Sequence, residues 1–374
     1  MTSDLPTIPL AVPDLRGRER DYLRQCVDDN WVSSAGPFVV EMEERMAVVA
    51  GRRHAVATAN GTMAIQLALE ALGIGPGDCV VVPDWTFAAT ANAVYHAGAT
   101  PYFVDIEPDG WTLDPVLLER VLSETEIAAV VAVDTLGHCA DYDRIRAVAG
   151  DIPVISDAAG AIGARYKDRS AGSSGLCATF SFNGNKTVTA GGGGMVVSDD
   201  TALADRIRHL STQARMGREY EHDAIGHNGR MTNLNAAVGC AQLERLDEMV
   251  TAKRAIAARY DAAIAGRRDI APMPRPAWTQ GSCWLYSVRL RKKAAAQSLI
   301  DHLAARRIQA RSFWRSLLQQ SPYRDAASAL SGVSESLSGT VVSLPCSSHL
   351  GTVEQDRVIE ALAAWQQAEE IESE

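Results

Sequence analysis

Residues 180–197 read FSFNGNKTVTAGGGGMVV, and the order of the parts within this stretch decides how the rest of the chain is read. A strand-like alternating run leads to one lysine, Lys186, and four consecutive glycines follow it. A phosphate-binding P-loop has its glycines before the lysine, with Gly directly preceding Lys and a helix after it. Here Asn185 precedes Lys186, and GGGGMVVS reads as a turn entering another strand. A lone lysine is ordinarily a solvated surface charge. This one, with the Ser181 hydroxyl upstream and glycines that permit close backbone approach, reads as a lysine held beside something large and planar.

Working outward, two periods alternate between residue 54 and about residue 200. Short β-branched or alanine-rich runs stand at 54–59, 79–83, 100–106, 127–133, 153–157, 177–182 and 194–198, with helical patterns at 62–72, 86–98, 114–122 and 141–150. Strands alternating with helices predict an α/β layer structure around a mainly parallel sheet. The last strand signals are too close together for intervening helices, which predicts a locally antiparallel, mixed sheet. One long helix is expected over 233–264, then a strand at 283–290 and helices at 292–308 and 357–365. The chain therefore reads as a large α/β domain, residues 1–250, and a smaller α+β domain, residues 251–374.

Composition narrows the function classes. The 374 residues are 47% hydrophobic, enough for a large core, and only the acidic tail after Gln367 reads as disordered. A net charge of -10 argues against nucleic acid, whose backbone is bound by clustered Lys and Arg. Seven scattered cysteines with no CxxC pair read as reduced thiols of a cytoplasmic protein. No signal peptide or membrane-spanning run is read, and the eight histidines are not at metal-ligand spacings.

Four further motifs stand out, the first three where strands end. NGTMA (60–64) opens a helix, where free amides suit a phosphate, although Asn60 or Thr62 could simply cap it. PDWTFAAT (83–90) places Phe87 at a strand edge, either as core or as a face for a flat ring. VISDAAG (154–160) ends a hydrophobic strand in Asp157, on the side of an open sheet where ligands bind, or as an N-cap. IGHNGRMTNLNAA (225–237) carries Asn228 and Arg230 before the long helix.

One cofactor uses these parts together. Pyridoxal 5′-phosphate has an aldehyde for a lysine, a pyridine nitrogen for a carboxylate, a flat ring for an aromatic and a phosphate for a helix N-terminus. Lys186, Asp157, Phe87 and the group Gly61, Thr62, Met63 and Ser181 fill those roles in turn, in the chain order of a fold type I enzyme. No G-x-G-x-x-G opens a helix after the first strands, so a dinucleotide fold is not expected.

Over nearly its whole length the chain resembles the DegT/StrS-type sugar aminotransferases. The resemblance runs through NGTMAIQLALEALGIGPGD, VVPDWTFAATANAV, SDAAGAIGARYKDRSAGSSG, FSFNGNKTVTAGGGGMVV, YEHDAIGHNGRMTNLNAAVGCAQLERLD and LPCSSHL. Within the family it is most similar to transaminases of nucleotide-linked 4-keto-6-deoxy hexoses, of the bacillosamine and legionaminic acid type. The resemblance implies Lys186 as the Schiff-base lysine and Asp157 as the pyridinium partner. It further implies Phe87 as the stacking ring, and Thr62 and Ser181 as phosphate contacts. Asn228 would reach the phosphate from a neighbouring subunit, making a homodimer with shared active sites. The implied reaction moves an amino group from L-glutamate to a keto sugar by a ping-pong route through pyridoxamine phosphate. A cyclitol or other non-nucleotide ketone, a dehydration, and a cofactor-containing sensor remain open at this point. Lys186 counts against the dehydratases, which carry His there. Two positions depart from the family: Gly160 stands where Gln, His or Glu is usual, and Asp134 where His is usual.

Overall fold

The computed structural model describes residues 6–365; the acidic tail lies outside them. Its centre is an eight-stranded sheet. Five of the strands are β1 (His54–Thr58), β2 (Cys79–Pro83), β3 (Thr100–Val104), β4 (Ala129–Val133) and β5 (Val154–Asp157). The strands Cys177–Ser181, Gly194–Ser198 and Ser328–Ala329 complete it. From one edge to the other the order is β1, 194–198, 177–181, β5, β4, β2, β3, 328–329. Only 194–198 runs against the others, antiparallel to both β1 and 177–181. The expected mixed sheet is therefore present, and the antiparallel strand is the one whose approach was too short for a crossover helix.

Helices cover both faces because the strands are apolar on both. In β2, Val81 packs into one core cluster while Val80 and Val82 pack into another, as the two-residue period of a strand requires. On one side lie α1 (Glu19–Asp28) and α2 (Pro37–Ala50), both packed against the later helix Asn233–Leu243. On the other side lie α3 (Gly61–Ala71), α4 (Ala88–His96) and Thr201–Ser211, with Leu67, Val94 and Ile207 in their shared core. Each such side chain contributes about 1.5–3 kcal/mol on burial.

The single helix expected over 233–264 is two, Asn233–Leu243 and Leu246–Ile264. The backbone leaves helical geometry at Arg245 (φ -115, ψ 12). There its guanidinium bonds both Asp14 carboxylate oxygens, at 3.2 and 3.1 Å, and Glu248. The apolar period runs unbroken through this point, so periodicity could not reveal a break tied to a residue 231 positions away.

A second, four-stranded antiparallel sheet follows, in the order Ile270–Pro272, Tyr286–Leu290, Val341–Leu344, Arg311–Ser312. The helices Ala294–Ala304 and Thr352–Ala364 share its core, in which Tyr286, Leu299, Val342 and Val358 are fully buried. Two segments from this part of the chain return to the first. Ser328–Ala329 pairs with β3, and Thr279–Gln280 pairs with Arg165–Tyr166. Asp105, at the end of β3, anchors the return by accepting the backbone N–H groups of Ser331, Gly332, Val333 and Ser334. These bonds hold its carboxyl below the usual carboxylate range despite burial.

Candidate active site

The carboxyl ends of β1, β2, β4, β5 and 177–181 open on one cavity of about 420 Å3. Lys186 and Asp157 both line it. So do Gly61, Thr62, Phe87 and Ser181, which the sequence had placed together.

The floor is built locally. Asn60 takes an extended backbone (φ -169) after β1 and caps α3, its Oδ1 accepting the Met63 N–H at 2.8 Å. The Gly61 and Thr62 amides head the helix, where no intrahelical carbonyl can reach them. The Met63 amide, expected among the phosphate donors, is spent on the cap, and Met63 is not in the cavity wall. A Cβ on Gly61 would lie 2.9 Å from the Ser181 Cβ, so only glycine lets the helix start this close to the end of 177–181. Gly194, the last of the four glycines, would likewise place a Cβ 2.5 Å from the Asn60 backbone. The glycine run seats the antiparallel strand against the start of α3. Phe87 is 62% exposed at the head of α4, where a planar ligand can cover it.

Asp157 is buried at the end of β5. Its Oδ2 accepts the Thr90 hydroxyl at 2.8 Å and its Oδ1 the Ala159 N–H at 3.2 Å. Burial raises its pKa; those two bonds and the Lys186 charge pull the other way. Next to it, burial pushes Asp134 up to about 7, with the Asp157 charge adding to the rise. Asp134 Oδ1 accepts the Tyr142 hydroxyl at 2.7 Å and the Ala140 N–H at 3.0 Å, while its Oδ2 has no partner among the described residues.

A further wall comes from the later part of the chain, which no sequence motif marks. Trp284, just before the strand Tyr286–Leu290, donates its Nε1–H to the Asn185 carbonyl at 2.9 Å. The Lys186 Nζ lies 3.4 Å from the centre of its ring. Trp284 also explains Gly160, since a Cβ at 160 would stand 2.6 Å from the indole Cε3. The space that a side chain at 160 would need is filled by an indole arriving from 124 residues downstream. Arg311, Ser312, Phe313 and Trp314 complete the wall. Thr90 and Trp284 were the residues missed. Thr90 lay within a quoted motif, but only its hydrogen bond to Asp157 marks it.

Asn228 is not in the cavity wall of its own chain; it is exposed, and its backbone bridges to Thr212. The seven cysteines are all free thiols, no metal-holding cluster exists among the described residues, and none of their helices is long and apolar enough to cross a membrane.

Protein surrounds the Lys186 amine closely enough to lower its pKa to about 7, mainly by loss of hydration and against the pull of Asp157. In cofactor-free protein, labelling of Lys186 by an amine reagent, followed by peptide mass spectrometry, is expected to rise with a midpoint near pH 7. Between about pH 7 and the unfolded value near 10.5 the unfolded chain holds a proton that the folded one has lost, so this group makes the folded state more stable as pH rises across that window. A labelling midpoint near that of ordinary lysines would contradict the environment described.

Residues 13–363 match the family model described as the DegT/DnrJ/EryC1/StrS aminotransferase family. The chain is 40% identical over 366 residues to the GDP-perosamine synthase of Caulobacter vibrioides, covering 96% of this chain and 98% of that protein. The structure of DesV from S. venezuelae in complex with a ketimine intermediate superposes with a TM-score of 0.90 at 33% identity, covering 96% of this chain and 99% of that one. The PLP-form of Spr1654 from Streptococcus pneumoniae superposes with a TM-score of 0.88 at 27% identity, covering 95% and 97%.

Proposed function

From the premise that the chain belongs to the DegT/DnrJ/EryC1/StrS aminotransferase family and uses pyridoxal 5′-phosphate, we propose that it moves an amino group from L-glutamate to a keto sugar carried on a nucleotide. The observation that carries the reading is the pairing of Lys186 and Asp157 across one cavity, each acted on by the charge of the other. The nucleotide-linked acceptor rests on the relative named GDP-perosamine synthase.

The residues fit the cofactor on physical grounds. The carboxyl of Asp157 is buried and its pKa raised; a protonated pyridine nitrogen is the counter-charge such a carboxylate lacks. The open amides of Gly61 and Thr62, with the Ser181 hydroxyl against them, suit a phosphate. The exposed face of Phe87 suits a ring. When bound, the cofactor supplies an aldehyde for the substrate nitrogen and a ring that accepts the electrons of a broken C–H bond.

The chain supplies the proton chemistry. Lys186 Nζ would hold the aldehyde at rest. Once displaced, it would take the proton from the donor Cα, a task suited to an amine whose pKa burial lowers. In the second half it returns a proton to the sugar carbon that receives the nitrogen. Asp157 would keep the ring nitrogen charged, and Thr90 fixes the orientation of the carboxylate. Trp284 screens the amine from water on one side.

Two copies would complete the site. Asn228 is exposed and lies outside the lining of its own cavity, which supports its reaching the phosphate of a second subunit in a homodimer. The free thiols support a cytoplasmic location.

The test uses cofactor-loaded protein and L-glutamate with no sugar present. One equivalent of 2-oxoglutarate per site is expected. A dehydratase or a sensor would release none, and that outcome overturns the reading.

A further inference from the structure

The helix Leu246–Ile264 buries one stripe of side chains, and one member of that stripe is charged. Val250, Lys253, Ile256, Ala257 and Tyr260 recur at the three- and four-residue spacing of a core-facing helix. Lys253, in the middle, is 4% exposed and is in no salt bridge among the described residues. A buried ammonium without a carboxylate is costly, and a methionine would fill the same length without that cost. Packing alone therefore does not call for a lysine here. Its Nζ donates instead to two backbone carbonyls, Cys346 at 2.6 Å and Trp284 at 3.2 Å.

Those carbonyls lie just past the end of a strand ladder. The pairing of Tyr286–Leu290 with Val341–Leu344 ends at Tyr286 opposite Leu344. One rung further, Trp284 and Cys346 exchange no backbone hydrogen bond, and only the weakly donating Cys346 Sγ reaches the Trp284 carbonyl, at 3.5 Å. Lys253 stands in for the missing rung. Cys283, just before Trp284, has a left-handed backbone (φ 55), which a residue other than glycine keeps only where its surroundings hold it. From this pinned backbone the Trp284 side chain reaches the Asn185 carbonyl and covers the Lys186 amine.

We propose that Lys253 is a positioning residue for the transamination: by holding the Trp284 carbonyl it keeps the indole seated over Lys186. The proposal rests on the aminotransferase reading only where activity is measured. Two other side chains of the same helix also bond carbonyls of the second sheet's approach, Arg254 to Gly281 at 2.8 Å and Tyr260 to Pro345 at 2.8 Å. Of the three, only Lys253 bonds the residue that touches Lys186.

The experiment measures the pH midpoint of Lys186 labelling in the full cofactor-free chain, and kcat and KM for L-glutamate in the cofactor-loaded protein. Lys253→Met and Lys253→Gln both release the Trp284 carbonyl from an ammonium, so the answer does not hang on one variant folding. Tyr260→Phe is the control: it removes a buried bond from the same helix and leaves Trp284 held. The unaltered protein should label with a midpoint near pH 7. Both Lys253 variants should raise it by about one unit or more, because a loosened indole lets water reach the amine. An indole face also attracts an ammonium, but burial is the larger influence on this amine, so the expected direction is upward. Tyr260→Phe should leave the midpoint in place. In loaded protein the Lys253 variants should lose about tenfold in kcat, with a smaller change in KM. Lys253 is no positioning residue if either of its variants, still melting cooperatively, keeps the parent midpoint. The same holds if Tyr260→Phe raises the midpoint equally, which would mark a general loosening of the sheet. Midpoints that move as expected in a protein that releases no 2-oxoglutarate would uphold the hold on Trp284 and sink the aminotransferase reading instead.

Discussion

Lys186→Ala is expected to lower kcat by about 10^4-fold, the upper end of what a positioned proton-transfer group supplies. The large value follows because one amine has two tasks: it holds the aldehyde at rest and moves the proton in both halves of the reaction. Single-turnover release of 2-oxoglutarate measures the loss directly. The variant should still bind the cofactor reversibly, because Asp157, the head of α3 and Ser181 are untouched, but borohydride should no longer fix it to the protein. The cofactor-free variant should melt no lower than the parent at neutral pH. The parent keeps in the folded state an amine that would rather be hydrated and charged, as its lowered pKa records, and alanine has no such cost. Turnover within tenfold of the parent would remove Lys186 from the chemistry.

The second large effect is expected at Asp157. Asp157→Asn keeps the shape and still offers an oxygen to the Thr90 hydroxyl, now 2.8 Å from Oδ2. What it removes is the negative charge that holds the ring nitrogen protonated. A preorganised electrostatic partner of this kind is worth roughly 10^2- to 10^3-fold in kcat, and that loss is expected here with little change in the KM for glutamate. The pH sign separates this from a folding defect. Asp157 has its folded pKa raised, so the carboxylate weighs against the folded, cofactor-free protein as pH rises above the unfolded value near 3.8. At neutral pH the Asn variant should therefore be at least as stable as its parent in urea. An unaltered kcat would mean that the ring nitrogen needs no charged partner, whatever the melting behaviour.

Much of the sheet was legible from short patterns. The runs at 79–83, 127–133 and 194–198 are strands because their β-branched side chains pack on both faces of a buried sheet, and that property is local. That the sheet is mixed in its later part was legible from spacing alone; which strand is reversed was not. The break at Arg245 was not, because the residue that holds it, Asp14, sits in the N-terminal segment. Met63 was misplaced for a local reason: the motif offered several amides at the head of α3, and only the geometry of the Asn60 cap shows which one is already used.

By itself, the sequence determined the chemistry on offer: a lysine after a strand, a carboxylate at a strand end, an aromatic and a glycine helix start, in an order that one cofactor satisfies. Each of these is set by a few neighbouring residues, through strand period, cap preference and backbone freedom. The tertiary structure alone decided how that chemistry is tuned. It brought Trp284 over the Lys186 amine and into the space that Gly160 leaves, and it closed the cavity with Arg311 to Trp314. The physical reason is that hydration and charge at a buried site depend on every chain segment packed around it. Those segments meet only when the second sheet docks on the first.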